Sequence, residues 1–333
     1  MSWQGFLSGR SPRTARLEPD RPHPAAQYVI EQLSQNRLST DADIAAIRRH
    51  YNLSRRAFLS DLEPVESVFH VVPSDGIAPR LTVIRPKSFQ PGTLQPALVY
   101  LHGGGWSLGS LATYEPLCRQ LANATGQIII WVEYRLAPEH RYPAALDDTL
   151  AAWQWVQDHC RELGADPERL SLGGDSAGGN LAAAAVLTLR DENGVQPWRQ
   201  LLFYPCVDMS ASLASHRKFA DGYLLTAPLY AWYRGNYVGS AVDRDNWRMS
   251  PLFAEDFSGL PPTVLLYAGF DPLRDESAAY AMKLALAGVP VEPIYFPDMI
   301  HGFLTMGGAI PAATTAVTQI AEALEALAGH LND

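Results

Sequence analysis

Residues Arg169-Leu-Ser-Leu-Gly-Gly-Asp-Ser-Ala-Gly178 read as a short strand that runs into a glycine-rich turn, and Leu181-Ala-Ala-Ala-Ala-Val-Leu187 continues the chain as a helix. The turn matches Gly-x-Ser-x-Gly, with Ser176 at its centre. So sharp a passage from strand to helix strains the serine backbone, and glycines two before and two after it let neighbouring backbones pass closely. The helix N-terminus favours negative charge developing beside it. The pentapeptide alone also occurs as an ordinary tight turn. The strand before it and the helix after it single out Ser176 as a nucleophile.

Working outward, further strands are expected at 65–72, 81–84, 97–101, 128–132, 201–204, 263–268 and 291–296. The first two, joined by Pro73-Ser-Asp-Gly76, form an antiparallel hairpin. Helical spacing marks 144–163, 177–190, 277–287 and 313–327. This alternation predicts an α/β fold with a mostly parallel sheet flanked by helices and the hairpin at one edge. Two segments break the rhythm. Residues 1–62 hold an Arg/Pro-rich arm and then two amphipathic helices, and residues 205–259 are aromatic and show no strand pattern. The catalytic domain is therefore expected at 63–204 and 260–333, with the long insertion acting as a lid or binding segment.

A serine hydroxyl needs a base, and the base needs an orienting acid. In a sheet of this kind they follow the serine in the order acid, then histidine. His301 lies just beyond the last expected strand, whereas His216 falls in the insertion and His330 close to the C-terminus. Asp271 follows the preceding strand; Asp275, a turn into a helix, and Asp298 compete with it less well. Upstream, His102-Gly-Gly-Gly-Trp106 follows a strand, and consecutive glycines let amides converge on an oxyanion. Gly103, Gly104 and Ala177 are the expected donors, with His102 anchoring the loop. Trp106, Asp175, Tyr204, Tyr223, Trp232 and Tyr233 form the expected substrate pocket.

Composition narrows the partners. Of 333 residues 47% are apolar and 18% charged, enough for a buried sheet, and 35 acidic against 26 basic residues give a net charge of -9. That balance argues against nucleic acid. No lysine follows Gly178 or Gly179 as a phosphate loop requires, and Leu108 interrupts the dinucleotide-binding glycine spacing, so no nucleotide cofactor is implied. Cys118, Cys160 and Cys206 are too far apart for a zinc knuckle or a disulfide framework, and no metal is expected. The first ten residues lack the apolar core of a signal peptide, and no stretch is apolar enough to span a membrane. The expectation is a cytoplasmic protein without stable membrane association.

Together, His102-Gly-Gly-Gly-Trp106, Tyr134-Arg-Leu-Ala-Pro-Glu-His140, Tyr142-Pro-Ala-Ala145, Gly174-Asp-Ser-Ala-Gly178, Asp271-Pro-Leu273 and His301-Gly-Phe303 resemble the bacterial hormone-sensitive-lipase-like esterases, the family IV carboxylesterases of the α/β-hydrolase fold. The resemblance runs in family order over roughly residues 65–330. It implies an eight-stranded sheet with a helical cap built from the N-terminal helices and the insertion. It also implies hydrolysis of short- to medium-chain acyl esters by Ser176, His301 and Asp271 without a cofactor, and a homodimer through the edge of the last strand. The segment 134–140 is expected to shape the loop behind the site, with Arg135 and Glu139 satisfying one another if buried. The same motifs also suit an amidase, peptidase or deacetylase, and, less well, an inactive small-molecule receptor, which would typically have lost a triad member.

Overall fold

A computed structural model of the chain describes residues 19–36, 40–74, 76–239 and 246–329. Most of the expected N-terminal arm (1–18), Asp75 of the hairpin turn and His330 lie outside these residues. Eight strands form one sheet: β1 (Ser67–Val71), β2 (Leu81–Arg85), β3 (Gln95–Leu101), β4 (Ile128–Val132), β5 (Ala165–Asp175), β6 (Arg199–Phe203), β7 (Thr263–Phe270) and β8 (Val291–Ile300). Their order is β1-β2-β4-β3-β5-β6-β7-β8. β1 and β2 pair antiparallel with each other, and β2 antiparallel with β4; from β4 to β8 every pair is parallel.

Parallel strands need crossovers, and the helices supply them. The described helices are α1 (Pro24–Gln35), α2 (Ile44–Arg56), α3 (Leu111–Thr125), α4 (Ala144–Leu163), α5 (Ala177–Asp191), α6 (Ala214–Lys218), α7 (Ala227–Val238), α8 (Arg274–Leu286) and α9 (Ala312–Gly329). The pleat sorts the core into two layers. Val99 and Leu101 of β3 and Ile128, Ile130 and Val132 of β4 pack with α4, α5 and α8. Leu98, Tyr100, Ile129 and Trp131 face α3 and α9. Full burial of each such Ile or Leu contributes about 1.5–3 kcal/mol, against about 0–1 kcal/mol for an exposed ion pair. The two apolar faces, not the surface charges, hold the sheet.

Three elements differ from the expectation. α3 was not anticipated between β3 and β4, because Pro116 interrupts its pattern, but Ser110 and Thr113 form a capping box at its start and Gly126 ends it in the left-handed region. β5 begins at Ala165 rather than residue 170, since Gln95 pairs with Ala165 before a register shift carries Ala97 to Leu170. β8 runs on to Ile300 past Pro293 and Pro297, which an edge strand tolerates because prolines there forfeit no inner ladder bond.

The loop 134–140 also differs in its charge pairing. Arg135 does not meet Glu139. Its guanidinium and its backbone N–H both donate to the buried Asp148, at 2.7–3.0 Å. Glu139 instead takes a bidentate bond at 2.7 Å from Arg48 of α2, which also donates to the carbonyls of Ser107 and Ala137. One arginine thus ties an N-terminal helix to the loops that follow β3 and β4.

α5 is buried from Ala177 to Thr188, and its glycines and alanines bring it hard against the sheet. At Gly178 a side chain would run into the Leu101 carbonyl. Gly178→Ala is expected to lower the unfolding free energy by about 2–3 kcal/mol, read as a lower denaturation midpoint in urea with an unchanged slope.

Candidate active site

Ser176 caps α5 with φ +54°, a conformation that costs a non-glycine residue of order 1–3 kcal/mol. Its backbone is held in place: the N–H donates to the Phe203 carbonyl at 2.9 Å, and the carbonyl accepts from Asn180 and Cys206. The strain lifts the hydroxyl clear of the sheet end. From there Oγ lies 2.8 Å from Nε2 of His301. Nδ1 of His301 lies 2.8 Å from Oδ2 of Asp271. A buried carboxylate accepts, so Nδ1 carries the proton and Nε2 is left to accept from the serine. Asp271 is fully buried, and its other oxygen takes the Leu273 N–H at 2.8 Å. Tyr204 packs behind the imidazole, ring centroids 4.9 Å apart.

Two of the competing groups are engaged elsewhere. Asp275 accepts from Ser215 N–H and Arg274, and His216 pairs with Glu276 at 2.6 Å. Burial alone would lower the His216 imidazole, but the Glu276 carboxylate reverses this and holds it above the ordinary value. Asp208, His216 and Glu276 lie within 4.8 Å of one another and have metal-ligand chemistry. Their oxygens are already taken up, however: Glu276 accepts the N–H groups of Val207 and Asp208, and Asp208 accepts from Ser210 and Ser212. They form an interior network that fixes the start of the 205–259 segment.

The oxyanion loop requires a correction. The Gly103 N–H was expected to point at the oxyanion, but it donates to Oδ1 of Asp175 at 2.8 Å. Gly104, Gly105 and Ala177 line the cavity beside Ser176 instead. None of their N–H groups donates to a protein acceptor among the described residues. Asp175 therefore braces the loop as well as lining the cavity. It also accepts from Tyr100 at 2.9 Å and Tyr114 at 3.1 Å. His102 anchors the loop through Gly103 O at 2.7 Å, stacked between Trp131 and Tyr134. Burial holds its pKa down at about 4, so it stays neutral.

The cavity around Ser176 measures about 60 Å³. Trp106, Asp175 and Tyr233 of the expected pocket line it; Tyr204, Tyr223 and Trp232 do not. Tyr204 is spent on His301, Tyr223 packs on Phe219 and Phe270, and Trp232 lies on the flank of α7, edge-on to Tyr233. α7 instead buries Tyr230, Tyr233 and Tyr237. The Tyr233 ring occupies the place where a side chain on Gly105 would sit, so only glycine fits there. Sequence reasoning missed Tyr51 and Arg55 of α2 and Met306 beyond His301.

A hydrogen-bonded serine-histidine-carboxylate chain stands beside unspent amides at the C-terminal end of a parallel sheet. The chain belongs to the hormone-sensitive-lipase-like esterases of the α/β-hydrolase fold. The family model described as alpha/beta hydrolase fold matches residues 98–305. Carboxylic ester hydrolase LipN of Mycobacterium tuberculosis is 39% identical over 306 residues, 89% of this chain and 78% of that protein. Ethyl acetate hydrolase of Pseudomonas putida is 38% identical over 75% of this chain and 79% of its own length. Among solved structures, an ester hydrolase from the metagenome of Lake Arreo aligns with a TM-score of 0.88 at 35% identity, covering 92% of this chain and 99% of that one. A hyperthermophilic esterase of the archaeon Pyrobaculum calidifontis aligns at 0.85 with 36% identity, over 92% and 99%.

Burial pushes the Asp175 carboxyl up to about 6, against the hydrogen bonds that pull it down. The folded chain thus holds this proton more tightly than the unfolded chain, and the group's contribution to stability falls as pH rises from about 4 to 6. Asp175→Asn is expected to remove that component, so the stability difference between wild type and variant changes between pH 4 and 7 and levels off above. Thermal unfolding across this range checks it.

Proposed function

We propose that this carboxylic ester hydrolase cleaves short- to medium-chain acyl esters with Ser176 as nucleophile, His301 as general base and acid, and Asp271 as the orienting carboxylate. The observation that carries the reading is the unbroken run of 2.8 Å contacts from Ser176 Oγ through the His301 ring to Asp271. Oγ attacks the ester carbonyl while Nε2 takes its proton. The carbonyl oxygen becomes an oxyanion that the amides of Gly104, Gly105 and Ala177 stabilise. The C–O bond to the alcohol then breaks, and the imidazolium returns the proton to the departing oxygen. Water, deprotonated by His301, attacks the acyl-serine and releases the acid and Ser176. Asp271 remains ionised throughout and stabilises the imidazolium.

The helices of residues 19–62 and the segment 205–259 serve as the cap, since Tyr51, Arg55, Leu224, Leu229 and Tyr233 wall the cavity opposite the sheet. Its small volume supports a short acyl arm. Three buried, unbridged cysteines suit a reducing cytoplasm, and no helix among the described residues is long and apolar enough to cross a membrane. The position of β8 at the rim of the sheet supports a homodimer formed by strand addition.

Ser176→Ala is expected to abolish hydrolysis of p-nitrophenyl butyrate while leaving the unfolding temperature near that of wild type. The wild type should take up one organophosphate on the peptide carrying Ser176, found by mass spectrometry. Normal turnover by the alanine variant would overturn the assignment. Asp271→Asn should lower kcat by roughly 10⁴, through loss of the productive tautomer. Across straight-chain p-nitrophenyl esters, kcat/KM should fall beyond medium chain length.

A further inference from the structure

The ester chemistry leaves one charged group in the cavity wall unused. Arg55, half-buried in the last turn of α2, lines the Ser176 cavity and also a second one of about 260 Å³. Tyr51, Leu224, Leu229 and Tyr233 line both as well, so these side chains form the partition between the inner chamber and the outer one. Arg48, Arg135 and Arg248 each sit on a carboxylate. Arg55 has no carboxylate partner among the described residues. Its polar contact is Met306 Sδ at 3.7 Å, a weak acceptor, and its guanidinium carbon stands 5.1 Å from the Tyr51 ring centroid.

Neither nearby carboxylate is bonded to it among the described residues. Asp175 spends both oxygens on Tyr100, Gly103 and Tyr114, and Asp221 in the outer wall is engaged in a contact of its own. A basic residue near a helix C-terminus gains about 0.3–1 kcal/mol from the helix dipole. Exposed Arg56, also in the last turn, meets that need equally and does not line either cavity. The dipole therefore accounts for a cation in this turn but not for one aimed into the cavity. A guanidinium partly withdrawn from water and left unpaired is a cost to the fold, and it is offset when an anion binds in fork geometry. A chain of net charge -9 thus presents, beside Ser176, a cation with no carboxylate partner among the described residues.

We propose that Arg55 selects esters that carry a free carboxylate, holding that group at the partition between the chambers while the ester carbonyl reaches Ser176. The inference rests on the ester-hydrolase reading and narrows its substrate class. The carboxylate is a spectator in the reaction, and water still supplies the atoms that complete the acid and the alcohol.

The test compares kcat/KM for matched esters with the full chain. One pair places the charge on the leaving arm, 4-acetoxybenzoate against its methyl ester. The other places it on the acyl arm, p-nitrophenyl hydrogen succinate against p-nitrophenyl butyrate. In at least one pair the anionic-to-neutral ratio should be about tenfold higher in wild type than in Arg55→Gln, carried mainly by KM. Arg55→Lys should recover part of it, and the wild-type ratio should fall as NaCl is raised. The salt series needs no variant, so misfolding of Arg55→Gln would not remove the test. Ratios in both pairs that are insensitive to salt and to substitution, with neutral esters still cleaved, would overturn the proposal. Failure of the wild type to cleave any ester would overturn the underlying ester-hydrolase reading instead.

Discussion

The positive φ of Ser176 is the constraint around which the molecule is arranged. A serine holds that conformation only if its surroundings over-determine it. Three parallel strands do so. β6 supplies the carbonyl that receives the Ser176 N–H, β3 brings the Leu101 carbonyl against Gly178, and β5 delivers the serine itself. The sheet order is therefore a condition of the site. Had β3, β5 and β6 not been adjacent, nothing would hold the turn against its own strain.

Electrostatic demands are met locally and from opposite sides of the serine. Asp175 and Asp271 are both buried carboxylates, and each is matched by donors rather than by a cation: amide and phenol for one, amide and imidazole for the other. One fixes the glycine loop and the other fixes the imidazole. Their separate sets of partners keep two negative groups near the serine with distinct roles. Arg48 of α2 works differently: it is a cation on the Glu139 carboxylate, and it bridges three points of the loops behind the site.

The fold and the hydrogen-bonded run from Ser176 through His301 to Asp271 were readable in the sequence because their signals are local. Alternation of strand and helix, a strand–turn–helix around Ser176, and polar residues just past the ends of β7 and β8 all lie within short windows. The oxyanion loop was readable only in part. Which of three successive glycines keeps its N–H depends on Asp175, 72 positions away. The pocket was least readable. Aromatics occur all round α7, and only its packing shows that Tyr233 faces inward and Trp232 sideways. Tyr51 and Arg55 belong to a helix whose docking no nearby residue specifies. α3 was missed because Pro116 masks its periodicity, although its capping box was present in the sequence.

The position of β8 has a consequence for synthesis. It is the last strand among the described residues and lies at the rim of the sheet, and it delivers His301 to a serine 125 residues earlier. On a ribosome, the turn around Ser176 can be in place while its partner is still untranslated or inside the exit tunnel. The nascent chain would then display Ser176 without His301, and the hydroxyl would gain its hydrogen-bond partner only when β8 was laid down.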